Sequence, residues 1–206
     1  ILSAQEKMDF IPRSLGPIIR LSSNENPYGP SKRVQQRIKN SFVHACRYPY
    51  AYSDDLELIL AKKHGVDPES IIVTGGSTEG LKITGLTFAS NGGEIISGQP
   101  TFLAMMKFAQ QWGASVNWVP VGADKGYDLD EIEKRISSKT KLVFLCNPNN
   151  PTGTLVPANK LIDFCNTASK KTIVFCDEAY YDFIETPNYP SMVEAVKRGD
   201  DVIVSK

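Results

Sequence analysis

The sequence predicts an α/β fold in three layers, a mainly parallel sheet with helices on both faces. Two observations predict it. Strand-like apolar runs recur through residues 71–204, and helix-like segments fall between most of them. In addition, glycine-, asparagine- or aspartate-bearing turns stand directly after several of the runs, where open α/β sheets bind their ligands.

Residues 1–30 carry four prolines and little periodicity, so they read as an extended N-terminal arm ahead of one large domain, 31–206. Ser31 is placed to cap a helix with Val34, Ile38 and Phe42 on one face. Ser53 is expected to cap a second helix through Leu56, Leu58 and Leu60, closed by Gly65. Strands are expected at 71–74, 94–97, 115–119, 141–146, 172–176 and 201–204, and helices near 78–89, 102–112, 128–137, 158–168 and 190–198. No internal repeat, low-complexity tract or heptad seam interrupts the pattern.

Composition narrows the function. Apolar residues make up 41% and charged residues 22% of the 206, ample for a core. Lys+Arg and Asp+Glu both number 23, so no net field favours nucleic acid or a membrane surface. Cys46, Cys146, Cys165 and Cys176 show no C-x-x-C spacing and are expected as reduced core residues. No apolar run approaches the roughly 20 residues that span a bilayer. The expected location is the cytoplasm, with a removed leader left open because the chain starts at Ile1.

The chemistry is concentrated in four turns. Asn147-Pro148-Asn149-Asn150-Pro151-Thr152-Gly153 follows one apolar run, and Asp177-Glu178-Ala179-Tyr180 ends the next. An amide and a carboxylate at the ends of successive strands suit a cationic aromatic ring that carries a neighbouring phenolate. The carboxylate would hold a proton on the ring nitrogen, and the amide and a tyrosine hydroxyl would bond the phenolate. That combination is pyridoxal phosphate chemistry. Gly75-Gly76-Ser77-Thr78 leads into a helix start, whose unpaired N–H groups and positive dipole end suit a phosphate. Phe102, after Pro100-Thr101, could lie on a flat ring.

Each feature alone has a plainer explanation: an ordinary turn with a Ser/Thr cap, a core phenylalanine, a helix-capping aspartate, turn-forming asparagines. Competing motifs fail on spelling. Leu81 stands where a P-loop needs Lys, and Glu79 where a nucleophile elbow needs Gly. His44 and His64, the only histidines, lie far from Asp177 on predicted helices, so neither a metal site nor Ser/His/Asp catalysis is expected. The conjunction of four features in order, each after its own strand, is what carries weight.

That order resembles the fold-type I, class I/II pyridoxal-phosphate aminotransferases, most closely the histidinol-phosphate aminotransferase branch. Residues 21–30, Arg47-Tyr48-Pro49, Gly76-Ser77-Thr78-Glu79, Pro100-Thr101-Phe102, Asn147 to Gly153 and Asp177 to Tyr180 match its motifs. The resemblance implies phosphate contacts at Gly76, Ser77 and Thr78 and ring stacking by Phe102, where most relatives carry Tyr. It implies phenolate bonds from Asn150 and Tyr180, and pairing of Asp177 with the ring nitrogen. Tyr48 would reach the cofactor of the other subunit in a homodimer with shared active sites, and Asn24 and Tyr28 would lie near the substrate entrance. The implied reaction moves an amino group between a histidinol-phosphate-like donor and a 2-oxo acid. A lyase of the same fold, such as a threonine-phosphate decarboxylase, and a phosphate-binding module without chemistry stay open. The family's Schiff-base lysine closes a Thr-Phe/Leu-Ser-Lys run after a Val-Ile-Val-type strand. Lys206 fits best as the residue just before that run, so the lysine, further strands and a small domain are expected beyond it; the Ser205-Lys206 dipeptide keeps Lys206 itself as the alternative.

Overall fold

The computed structural model describes residues 22–48 and 50–206. These divide into two units, on either side of residue 49. In the first, Ser31 caps helix α1 (Lys32–Ser41), its side chain accepting from the Val34 N–H. Ahead of it, the Asn26 side chain accepts from Tyr28 N and donates to Gly29 O, which shapes a turn. Cys46 is corrected here: it is exposed, in a turn of this unit, and is no core residue. The expected arm falls partly on residues 1–21, which lie outside the described residues.

The second unit opens with α2 (Tyr50–His64). The expected cap is corrected here: Ser53 sits inside the first turn, and its hydroxyl turns to Asp54 Oδ1. Gly65 does close the helix, at φ 68°, with its N–H on Ala61 O. The run 71–74 forms no strand. Ile72 is 83% exposed, and no described sheet edge lies beside the run to pair its backbone.

Alternation then holds to the end: α3 (Ser77–Ala89), β1 (Glu94–Gln99), α4 (Ala104–Gln110), β2 (Ser115–Pro120), α5 (Leu129–Arg135), β3 (Thr140–Cys146), α6 (Ala158–Ala168), β4 (Ile173–Asp177), α7 (Val193–Lys197) and β5 (Val202–Ser205). The five strands form one parallel sheet in the order β2-β1-β3-β4-β5. Both faces are covered, as the continuous apolar runs require. Ile96, Val143, Leu145 and Val174 point into a core with Ile132 of α5, Leu161 and Phe164 of α6 and Ala195 of α7. Ile95, Leu142, Phe144 and Phe175 point to the other side, against Leu81 of α3 and Met105 and Met106 of α4.

The order reverses direction between β1 and β3, which places a crevice at their carboxyl ends. Tyr127 fills part of it. Its ring edge packs against Gly98 of β1, and a Cβ built on that glycine would come within 2.2 Å of Tyr127 Cδ1 and 2.4 Å of Cε1. Gly98→Ala should therefore destabilise the fold by about 1–3 kcal/mol, or roughly 2–4 °C of thermal midpoint per kcal/mol. Combined with Tyr127→Ala the loss should be less than additive, because the clash partner is gone. Full additivity in a double-mutant cycle would contradict the contact.

Candidate active site

The parallel register aligns the carboxyl ends of three strands. Cys146 pairs with Asp177, and Asp177 with Ser205. The ladder runs one bond further on each side: Asn147 N donates to Asp177 O at 2.9 Å, and Glu178 N to Ser205 O at 2.9 Å. The two loops that bear Asn150 and Tyr180 thus leave the sheet side by side. Asn150 Nδ2 reaches the Tyr180 hydroxyl, at 3.5 Å.

Asp177 is 3% exposed. Its Oδ1 accepts from the Ser205 hydroxyl (2.8 Å) and the Ala179 N–H (3.3 Å), whereas Oδ2 takes no hydrogen bond from the described residues. Burial raises the carboxyl above its usual value, the bonds from Ser205 and Ala179 oppose this, and the Glu178 charge adds to it. Oδ2 is not shut off from solvent, and it is free to accept from a cationic N–H donor. Glu178 is equally buried but fully engaged: it accepts from Ser191 Oγ and Met192 N, and Lys206 Nζ lies 2.8 Å from its Oε2.

Gly76 precedes α3 at φ 99°, a conformation that suits glycine, and a Cβ there would meet open space. Glu79 reaches back to the Gly75 N–H, and Thr74 Oγ1 donates to Gly76 O, so the turn is held while Ser77 and Thr78 begin the helix. Phe102 is half-buried against the core on the α3–α4 side. The Gln99–Pro100, Asn147–Pro148 and Asn150–Pro151 bonds around these loops are cis.

The structure brings Asn150 and Tyr180 together, on loops that leave the sheet beside Asp177. Gly76, Ser77, Thr78 and Phe102 belong to the same unit, at α3 and the end of β1. Asn24, Tyr28 and Tyr48 belong to the other unit, where Tyr48 is 80% exposed. Lys206 stands with Glu178, and its ammonium lies 4.0 Å from the Tyr181 ring centroid. Sequence reasoning missed Ser205, Thr101, Tyr127 and Asn149. Only Gly98, a glycine within a strand pattern, signalled a close approach there. Among the described residues no group of His, Cys, Asp or Glu could hold a metal, and no helix is long and apolar enough to cross a membrane.

With this geometry in place, similarity to known proteins decides the family. The sequence pattern of aminotransferase class I and II matches residues 16–206. The chain belongs to that family. Histidinol-phosphate aminotransferases resemble it over nearly its whole length. That of Caldicellulosiruptor saccharolyticus is 34% identical over 94% of this chain and 54% of its own. That of Idiomarina loihiensis is 35% identical, over 92% and 51%. A structure from Erwinia carotovora atroseptica, provisionally named a histidinol-phosphate aminotransferase, superposes with a TM-score of 0.82 at 29% identity, covering 88% of this chain and 53% of that one. The Sinorhizobium meliloti enzyme, solved with pyridoxal-5'-phosphate, gives 0.79 at 24% identity, over 88% and 49%, a likeness of fold. The chain spans about half the length of the curated relatives it matches.

The state of Asp177 is testable without any ligand. Its folded value lies above the unfolded one, near 4. The cost of the ionised form is therefore complete above the raised value and fades as pH falls toward 4. In the cofactor-free protein, Asp177→Asn should stabilise more at about pH 8 than at about pH 4.5. Equal changes in thermal midpoint at both pH values would show that burial does not penalise this carboxylate.

Proposed function

We propose that the full protein is a pyridoxal-phosphate-dependent aminotransferase. It moves an amino group from a histidinol-phosphate-like donor to a 2-oxo acid. The observation that carries the reading is Asp177: a buried carboxylate, one oxygen engaged by Ser205 and the other open, on the strand beside the Asn150 loop. This donor and acceptor set fits the cofactor, because it offers an anion for a ring N–H and polar groups for a ring hydroxyl. When bound, pyridoxal phosphate supplies a protonated ring that takes up the electron pair left as a substrate Cα–H bond breaks.

The chain's own residues would do the rest by holding and orienting. Asp177 Oδ2 would keep the ring nitrogen protonated, while Oδ1 stays with the Ser205 hydroxyl. Asn150 and Tyr180 would donate to the ring oxygen. Gly76, Ser77 and Thr78 would offer N–H groups to the phosphate, and Phe102 would stack on the ring. Lys206 is tied to buried Glu178, which supports a structural role for it. The lysine that would join the cofactor is assigned to a residue other than Lys206. Asn24 and Tyr28 would face the substrate, and Tyr48 the cofactor of a second subunit. The expected setting is the cytoplasm, without nucleic acid or membrane partners. The relatives above 30% identity carry aminotransferase names, so the lyase alternative is not favoured.

The deciding assay incubates the full-length protein with cofactor, histidinol phosphate and a 2-oxo acid. Amino-acid formation from the 2-oxo acid is expected; carbon dioxide release in its place would assign a lyase. Asp177→Asn should keep appreciable cofactor binding while losing turnover by ~100-fold or more, about 2.7 kcal/mol of barrier. Borohydride reduction and peptide mapping should label a lysine other than Lys206; label on Lys206 would overturn its structural assignment.

Subunit sharing has its own test. A Tyr48→Ala protein mixed with one lacking the cofactor-joining lysine should regain part of the activity, since a mixed dimer rebuilds one intact site. An active monomer in light scattering would contradict it.

A further inference from the structure

We propose that Thr101, Tyr127 and Asn149 form a positioning joint that fixes Phe102 and Asn150 relative to one another. The inference rests on the reading that Phe102 and Asn150 hold the cofactor. The three residues come from three separate segments: the loop after β1, the stretch between β2 and α5, and the loop after β3. Those segments meet where the sheet order reverses. Thr101 and Asn149 are buried, and the Tyr127 ring edge packs against Gly98.

Every polar atom of the joint is used. Asn149 Oδ1 lies 2.8 Å from both Thr101 Oγ1 and Tyr127 OH, which are 2.7 Å from each other. Asn149 Nδ2 donates to Pro100 O at 3.0 Å and to Thr152 Oγ1 at 2.8 Å. The Tyr127 oxygen also accepts from Cys146 N at 3.1 Å, at the very end of β3. Its own backbone locks the Asn149 loop as well: Asn149 N donates to Thr154 O, and Gly153 N to Asn149 O.

The proton count makes the arrangement demanding. Two hydroxyl hydrogens serve three short oxygen–oxygen contacts, so only two of the three can be hydrogen bonds at once. The orientation of the Asn149 amide follows from its neighbours, because reversing it would set Oδ1 against the Pro100 carbonyl. An aspartate of the same shape would lose both donors and bury a charge. Burial also drives the Tyr127 phenol upward, which keeps its proton in place.

Phe102 follows Thr101 and Asn150 follows Asn149. A joint one residue from each therefore sets the spacing between the ring-stacking group and the ring-oxygen donor. None of the three side chains needs to touch the cofactor for this, so their effect is on placement.

The test uses the full-length protein and three variants, Thr101→Val, Thr101→Ser and Tyr127→Phe, with pyridoxal phosphate as the probe. The readouts are the cofactor dissociation constant from absorbance titration, and the pH midpoint of the bound cofactor's absorbance band. A thermal melt of the cofactor-free form accompanies them. Thr101→Val and Tyr127→Phe should each weaken binding about ten-fold, the scale of one lost buried hydrogen bond, and displace the pH midpoint. Thr101→Ser, which keeps the hydroxyl, should restore both, while all three remain folded. Wild-type binding and an unchanged midpoint in Thr101→Val and Tyr127→Phe would overturn the joint alone. A wild-type protein that takes up no cofactor would overturn the functional reading and the joint with it.

Discussion

The parallel register across β3, β4 and β5 is the constraint on which the site depends. It sets Cys146, Asp177 and Ser205 in one row, so the loop beginning at Asn147 and the turn beginning at Glu178 leave the sheet at the same level. Successive side chains of a strand point to opposite faces, so a slip of one residue would carry Asp177 to the wrong side. The apolar alternation guards against this slip. Val174 and Cys176 enter one core, whereas Phe175 enters the other beside Phe144, with ring centroids 5.9 Å apart. The same burial that stabilises the sheet thereby fixes the geometry of its polar edge.

Two adjacent carboxylates at that edge have opposite fates. Glu178 is answered on all sides, by Ser191, by the Met192 N–H and by Lys206, and ties β4 to the segment before α7 and to the end of β5. Asp177 has half of its bonding capacity in use. An oxygen left open on such a carboxylate marks a candidate position for a ligand's donor. An engaged and an open carboxylate thus stand side by side in sequence, because consecutive residues leave a strand toward different surroundings.

Much of this was legible in the sequence. The apolar runs located all five observed strands, the turn residues marked the strand ends at Asn147 and Asp177 and the helix start after Gly76, and the order of the motifs identified the family. Failures have physical causes. The run 71–74 has strand composition, but a strand exists only with a partner edge, which no local pattern reports. Ser53 is a good cap type, yet the helix begins a turn earlier. Asn149 looked like turn chemistry beside Asn150, and Tyr127 stands alone between elements. Their joint is made by contacts 19 to 49 residues apart in sequence, beyond the reach of spacing. Ser205 was hidden for the same reason: its role comes from sheet register, which pairs it with a residue 28 positions away.

The central claim is that Asp177 presents an open oxygen to a ring N–H. Nitrogen NMR of the full-length protein, loaded with pyridoxal phosphate labelled at the ring nitrogen, tests it most directly. The account predicts a protonated ring nitrogen at neutral pH, and loss of that proton in Asp177→Asn with the cofactor still bound. A ring nitrogen that is unprotonated in the wild-type protein, or equally protonated in both, would contradict it.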